Sequence, residues 1–293
     1  MTDPSGIVVV DKPAGWTSHD VVARMRRLLG TRKVGHGGTL DPMATGVLVV
    51  ACGKATRLLT YISAHSKTYD ATIRLGVSTI TDDAEGEVVA TSDASAVTDS
   101  QIADAVAQLT GDIQQRPSAV SAIKVAGERA YARVRAGEDV ELAARPVTVS
   151  RFDVLATRRD GGVIDLDVTV DVSSGTYVRA LARDLGAAAG VGGHLTALRR
   201  TSVGRFSLDD AATLEALEAQ GATTRLIPLA AAASQSLPVL TIDAKDATAL
   251  GYGQRISAEG EGTAVAMSDG EAIAIVEIAD GTAKPVVVFA PAQ

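Results

Sequence analysis

Apolar and polar residues alternate in several stretches of the chain, with the two-residue period of a strand that has one buried face. The clearest stretch is residues 163–172, and a second alternating strand opens at Lys67. A short apolar stretch that ends at Asp11, residues 6–11, and an apolar run at 47–52 predict two further strands. Near the end of the chain, residues 262–268, 271–278 and 285–289 predict a small β-rich domain.

Helical periodicity predicts three helices between these strands. The first has its apolar face at residues 21–29, begins with a cap at Thr17 or Ser18, and ends at Gly30. The second is capped by Thr98 or Asp99, and the third follows residue 177. The alanine-rich segment 229–236 precedes Pro238, and we expect it to be a linker.

Composition favours a protein of the cytoplasm. The chain of 293 residues is 46% hydrophobic but only 3% aromatic, which predicts a sizeable and mainly aliphatic core. The longest apolar runs are far shorter than the roughly 18 residues of a membrane span. The first residues lack the pattern of an export signal. One cysteine, Cys52, excludes an internal disulfide and a cysteine-rich zinc site.

The net charge of −7 argues at first against a nucleic-acid partner, but the charges are segregated along the chain. Residues 11–75 hold ten Lys and Arg against four Asp and Glu, and residues 116–205 hold fourteen against ten. The remaining residues hold four against twenty-one. Because phosphates respond to local potential, two basic segments can attract a nucleic acid despite the overall sign. Chance segregation of solvated charges explains any single cluster equally well.

One glycine-rich stretch, residues 33–48, stands out as a candidate site. It surrounds a single carboxylate, Asp41, with four glycines: Gly35, Gly37, Gly38 and Gly46. Glycine allows close approach of a ligand to the main chain, and Pro42 biases Asp41 towards an extended backbone. We therefore expect Asp41 on a rigid loop, with His36 five residues before it.

From the residues alone, two interpretations of this loop stay open. Asp41 is either a catalytic carboxylate or an ordinary turn residue that caps a backbone N–H. A phosphate-binding P-loop is excluded, because Leu48 stands where the first glycine is required and Ala55 follows Lys54.

The run GHGGTLDPMATGVL at 35–48 resembles the catalytic motif of the TruB-type tRNA pseudouridine synthases. Further segments follow that family in the same order: K-x-Y at 67–69, G-x-x-T-x-T-x-D-x-x-G at 76–86, the segment 115–131, G-T-Y-V-R-x-L at 175–181, and residues 193–206. Ser118 and Val120 depart from the family, which commonly has proline and tyrosine at these positions. The resemblance spans roughly residues 6–206.

The resemblance implies an α+β fold with a mixed, mostly antiparallel central sheet and flanking helices. It implies a catalytic domain over 1–232, with an RNA-clamping insertion near 115–145. A small PUA-like domain over 237–293 would follow.

The resemblance also assigns catalytic roles. Asp41 would be the nucleophile, and Tyr69 would stack on the target uracil and is a candidate for proton abstraction. Arg179 would pair with Asp41, because a guanidinium stays protonated, binds a carboxylate through two hydrogen bonds and keeps it ionised. His36 would help to hold the opened RNA loop.

Other residues would bind RNA on the same grounds. The substrate-binding candidates are His36, Lys12, Gly37, Lys67, Asp83, Tyr177 and Leu198. The RNA-clamp candidates are Lys124, Arg129 and Arg133. No metal and no cofactor are expected, because the reaction is an isomerisation without redox change.

The implied function is conversion of uridine 55 in the T loop of tRNA to pseudouridine, after the base is flipped out of its stack. The expected partner is the tRNA T arm, with no DNA, no membrane and no obligatory protein partner, and the protein is expected to be a monomer. Two alternatives remain: a non-catalytic chaperone that opens and refolds the T arm, and a nucleoside glycosidase that uses Asp41.

Overall fold

The computed structural model describes residues 4–118, 124–125, 128–129 and 142–290. Among these residues, none of the helices combines the length and the apolar character needed to cross a membrane. The residues form two compact units. Unit 1 contains 4–41, 46–64 and 203–290, and unit 2 contains 42–45 and the described part of 65–202.

The α-helices of the described residues are α1 (Ser18–Leu28), α2 (Leu59–Ala64), α3 (Asp99–Gln108), α4 (Val178–Ala188), α5 (Leu214–Gln220), α6 (Leu229–Ser236) and α7 (Ala244–Gly251). The predicted caps are confirmed for α1 and α3, which begin after Thr17 and Thr98 in reciprocal capping boxes. Short 3₁₀ turns occur at Gly53–Leu58, Leu208–Asp210 and Ala222–Arg225.

The strands of the N-terminal half are β1 (Gly6–Lys12), β2 (Val34–His36), β3 (Thr45–Cys52), β4 (Lys67–Leu75), β5 (Val77–Thr79), β6 (Val88–Thr91), β7 (Gly111–Gln115), β8 (Lys124–Val125) and β9 (Glu128–Arg129). Those that follow are β10 (Arg145–Asp160), β11 (Val163–Val172), β12 (Gly193–Val203), β13 (Phe206–Ser207), β14 (Ala212–Thr213), β15 (Ile227–Pro228), β16 (Val239–Thr241), β17 (Ile256–Ser257), β18 (Gly262–Ser268), β19 (Glu271–Ala279) and β20 (Thr282–Val288). The strands predicted by alternation and by apolar runs are therefore present, with ends within a few residues of the expected ones.

Unit 1 is built around β1 and β3, which pair antiparallel over their whole length. β2 pairs antiparallel with β3, and β14 pairs parallel with β1. The C-terminal part of the chain contributes a five-stranded sheet in the order β16-β18-β19-β20-β17. Val265, Ile275 and Phe289 from this part share one buried cluster with Ile7 and Val49.

Unit 2 is built around strands in the order β12-β4-β11-β10-β7, in which β4 pairs antiparallel with β11, β11 with β10, and β10 with β7. Tyr69 in β4 lies opposite Val170 in β11. The inward face of β11 is fully buried and the other face holds carboxylates, as its alternation predicts.

The expected linker at 229–236 is wrong. These residues form α6, and Ala232, Ala233 and Ser236 are buried in it. Alanine has the highest helix propensity, and here its small side chains also allow close packing in the cluster of unit 1. The boundary of the C-terminal domain at 237 stays a prediction.

Candidate active site

Asp41 lies on a loop between β2 and β3, outside any helix, and is half-buried. The Gly37 N–H donates to the Val49 carbonyl at 2.9 Å, so the loop begins attached to β3. Gly38 and Gly46 have φ angles of 110° and 99°, a region that favours glycine. Glycines on both sides of the carboxylate thus allow the chain to turn, which confirms the expected loop.

A serine fixes the residue directly before Asp41. The Ser18 hydroxyl accepts a hydrogen bond from the Leu40 N–H at 2.9 Å and donates one to the Leu40 carbonyl at 3.2 Å. Ser18 is 1% exposed and is the first residue of α1. Both polar groups of the Leu40 backbone are therefore held by the start of a helix. The sequence pattern predicts only a possible capping role for Ser18.

His36 and Lys12 lie in the same unit. The His36 ring meets the His19 ring edge to face at a centroid distance of 5.5 Å. Lys12 is fully buried, and its Nζ donates to the carbonyls of Pro13 and Trp16 at 2.9 and 2.6 Å. The Lys12 ammonium thus closes the turn after β1. Its role and that of His36 in substrate binding stay predictions, as does that of the buried Gly37.

Tyr69 and Lys67 lie at the start of β4. Both side chains are buried, at 7% and 8% exposure. Burial, together with the charge of Arg200, lowers the pKa of Lys67 to about 8. The Lys67 Nζ donates to the His65 carbonyl at 2.8 Å.

Arg179 lies in the first turn of α4 and is 5% exposed. Its Nη1 donates to the Thr81 carbonyl at 2.9 Å and lies 3.5 Å from Oδ2 of Asp83. Asp83 is equally buried and also accepts from the Thr81 hydroxyl at 2.5 Å and the Glu85 N–H at 3.0 Å. The resemblance named Arg179 and Asp83 separately, and the structure brings them together. The pairing of Arg179 with Asp41 stays a prediction.

A second arginine of α4 repeats this arrangement one turn later. Arg183 Nη1 lies 3.2 Å from Oδ2 of Asp82, whose backbone has a positive φ of 60°. Burial raises the pKa of Asp82, and the Arg183 charge opposes that rise. Asp83 thus pairs with Arg179, and Asp82 pairs with Arg183 on the next turn of the same helix. These two ion pairs hold the 80–86 loop against α4.

Tyr177 and Leu198 complete the described candidates. Tyr177 is the N-cap residue of α4 and is partly buried, and Leu198 lies in β12 with 8% exposure. The side chains of Lys124 and Arg129, and all of Arg133, lie outside the described part of the chain. The RNA-clamp assignment therefore stays a prediction.

The carboxylates on the exposed face of β11 are paired with arginines. Arg74 binds Asp165 through two hydrogen bonds of 2.7 Å, and Arg158 binds Asp167 through both terminal nitrogens. The hydrogen bonds from these arginines lower the pKa values of Asp165 and Asp167. Within the described residues, no three His, Cys, Asp or Glu side chains are grouped as metal ligands.

Three family models match the chain. The TruB family pseudouridylate synthase N-terminal domain matches residues 26–178, which include the Asp41 loop, Tyr69 and Asp83. The chain belongs to the TruB family. The tRNA pseudouridylate synthase B C-terminal domain matches 179–227, and the tRNA pseudouridine synthase II C-terminal model matches 237–290.

Curated TruB relatives match over nearly the whole chain. The tRNA pseudouridine synthase B of Arthrobacter sp. (strain FB24) is 62% identical, over 99% of this chain and 98% of its own. That of Thermobifida fusca (strain YX) is 55% identical, over 97% and 98%. The chain is thus an isomerase of the pseudouridine synthase class, as expected.

Solved structures confirm the fold class. A Cbf5-Nop10-Gar1 complex matches with a TM-score of 0.74 and 27% identity, over 98% of this chain and 85% of that one. The archaeal box H/ACA Nop10-Cbf5 complex matches with a TM-score of 0.72 and 25% identity, over 98% and 86%. The expected α+β pseudouridine synthase fold with a PUA-like C-terminal domain is confirmed.

Proposed function

We propose that this TruB-family enzyme converts uridine 55 in the T loop of tRNA to pseudouridine, with Asp41 as the nucleophile. The observation that carries the proposal is the Asp41 loop, which lies in the matched family domain and is held at Leu40 by Ser18, a residue that precedes that domain. The curated relatives are tRNA pseudouridine synthases, which supports tRNA as the substrate.

The chemistry requires the target base to leave the stack. A glycosidic bond inside a stacked loop is inaccessible, so the uridine flips into the site and Tyr69 stacks on the uracil. Asp41 attacks the flipped nucleotide as a carboxylate and forms a covalent bond with it, and the bond between C1′ and N1 breaks with its electron pair on the base. The base turns, a bond forms between C1′ and C5, and the bond to Asp41 breaks, which restores the carboxylate. The C5 proton leaves to solvent, and N1 gains a proton. Atoms balance without a cofactor.

Arg179 stabilises the ionised form of Asp41 in this proposal. A guanidinium remains protonated under all ordinary conditions and is oriented here by Thr81 and Asp83. Interactions between charges are stronger where water is excluded. A buried arginine in a fixed position is therefore suited to favour the ionised form of Asp41 over the protonated form.

The proposed setting is the cytoplasm, with a monomer acting on the T arm. Basic residues in 11–75 and 116–205 would attract the phosphates of the folded RNA. The insertion that includes Lys124, Arg129 and Arg133 would grip the arm.

A tritium-release assay tests the function. A tRNA transcript that contains [5-³H]uridine is incubated with the enzyme, and a transcript with cytidine at position 55 is the control. We expect release of one C5 tritium per tRNA from the first transcript and none from the second. T-arm binding without release would favour the chaperone, and free uracil would favour the glycosidase.

A further inference from the structure

Gln115 makes a two-point attachment to the residue that precedes α4. Its Oε1 accepts a hydrogen bond from the Tyr177 N–H at 2.8 Å, and its Nε2 donates to the Tyr177 carbonyl at 3.1 Å. Gln115 is 0% exposed. The side-chain amide therefore pairs with one backbone residue as a neighbouring strand would, across 62 positions of sequence.

The attachment lies where α4 has no side chain of its own to cap it. Tyr177 is the N-cap residue, and its side chain makes no capping hydrogen bond. The Tyr177 carbonyl also accepts the Leu181 N–H at 3.2 Å, as in any helix, but the Tyr177 N–H has no partner within the helix. Buried backbone groups are almost always paired, and Gln115 supplies the acceptor for this N–H. Arg179 follows two residues later, in the first turn.

Two arginines, Arg145 and Arg183, make further contacts near the start of α4. Arg145 pairs with Gln115 in the ladder of β7 and β10. Its Nη2 donates to the Gly175 carbonyl at 2.6 Å, and its guanidinium carbon lies 5.1 Å from the centre of the Tyr177 ring. Arg183 Nη2 donates to the Arg116 carbonyl at 2.6 Å. Residues on both sides of segment 117–144 are thus fastened to α4 and the turn before it.

We infer that Gln115 is a positioning residue, which sets the place of Tyr177 and, through the first turn of α4, of Arg179. Gln115 thereby links the segment proposed to grip RNA to the arginine proposed to act on Asp41. The inference rests on the proposed function for its kinetic consequence, whereas the attachment itself can be measured without RNA.

Three variants separate the hydrogen bonds from the packing. Gln115→Met keeps the length of the side chain and removes both bonds. Gln115→Glu keeps the shape and the acceptor, and regains a donor only when the carboxyl is protonated. Gln114→Met is the matched control, because Gln114 is the neighbouring residue on the exposed face of the same strand.

Kinetics under single turnover give the first readout. We expect Gln115→Met to slow tritium release at saturating RNA by about ten- to a hundredfold, with RNA affinity within about threefold of wild type. The rate of Gln115→Glu, relative to wild type at each pH, should rise as pH falls from about 8 to about 5.5, because protonation restores the donor. Gln114→Met should behave as wild type.

Fluorine NMR of 3-fluorotyrosine protein gives the second readout, with the Tyr177 signal assigned by Tyr177→Phe. Gln115→Met should shift or broaden that signal, and Gln114→Met should not.

A wild-type rate in Gln115→Met, or an unchanged Tyr177 signal, would overturn the inference. If Gln115→Met does not fold, the pH profile of Gln115→Glu decides: no rise overturns it. If the wild-type enzyme releases no tritium, the proposed function fails, and the fluorine result still decides the attachment.

Discussion

At the scale of single residues, the Ser18 hydroxyl fixes the backbone directly before the proposed nucleophile, Asp41. It binds both backbone groups of Leu40, and Asp41 follows directly. A nucleophile on a loop would otherwise sample many positions, and displacement by about 1 Å is enough to slow a reaction greatly.

Ser18→Ala should therefore impair catalysis more than RNA binding. We expect the single-turnover rate to fall about tenfold or more, and the free energy of unfolding to fall by about 1–3 kcal/mol, since two backbone groups lose their partner. Kinetics and urea denaturation measure the two effects. Ser234→Ala, on the exposed side of α6, is the control. A normal rate with reduced stability would show that Ser18 has only a structural role.

Lys67 should give the protein a measurable pH dependence of stability. Its pKa of about 8 in the folded state lies below the ordinary 10.5, so the unfolded chain binds more protons between these two values. The free energy of unfolding should rise with pH across this window, by about 3 kcal/mol from Lys67. Denaturant titrations at several pH values, with Lys67→Met and the exposed Lys54→Met compared, measure it. An unchanged slope in Lys67→Met would contradict the prediction.

At the scale of elements, the packing of α4 against the turn before β12 depends on Gly186. A Cβ at Gly186 would overlap the backbone of Gly192 and Gly193, and the Gly186 carbonyl accepts from the Val191 and Gly192 N–H groups at 3.1 and 2.9 Å. The helix that contains Arg179 can therefore lie directly against the turn before β12.

Gly186→Ala has two opposite effects on the free energy of unfolding, and the two differ in size. Alanine should favour the helix by about 1 kcal/mol, but the overlap is with main chain that has no rotamer to change. We expect net destabilisation of about 2 kcal/mol or more, measured by thermal denaturation. Ala187→Gly, one residue later and exposed, should cost only about 1 kcal/mol. Stabilisation by Gly186→Ala would show that the turn can move away.

The elements themselves were largely predictable, because they depend on local periodicity. β11 follows its alternation except at Thr169, which is buried on the polar face, and α1 begins after Thr17 as its cap predicts. The exception is α6, because its alanine-rich run before a proline predicts a linker and the segment forms a helix. The two attachments proposed to position the site were not predictable. Ser18 to Leu40 and Gln115 to Tyr177 join residues far apart in sequence, and no periodicity encodes such pairs.

At the scale of the whole molecule, the C-terminal sheet shares a core with the first strands. Phe289 is 1% exposed and belongs to the same cluster as Ile7 and Val49. Apolar burial is the main driving force of folding, so the two parts of this core should stabilise each other.

Phe289→Ala should test this coupling. We expect a loss of about 3–5 kcal/mol in the free energy of unfolding, because a large buried side chain leaves a cavity. The loss should also appear in the fluorescence transition of Trp16, the only tryptophan, which lies near the start of the chain. Val286→Ala, at an exposed position, is the control. A Trp16 transition that does not move would show that the C-terminal sheet unfolds independently.

The nucleophile is the claim on which the proposed function depends most. Single-turnover release of C5 tritium from T-arm RNA by Asp41→Asn, with RNA affinity measured on the same samples, tests it most directly. Asp104→Asn, exposed on α3, is the control. We predict that Asp41→Asn lowers the rate by at least about a thousandfold with RNA affinity within about threefold, because an amide cannot act as the attacking carboxylate. Tritium release by Asp41→Asn at a rate near that of wild type would contradict the assignment.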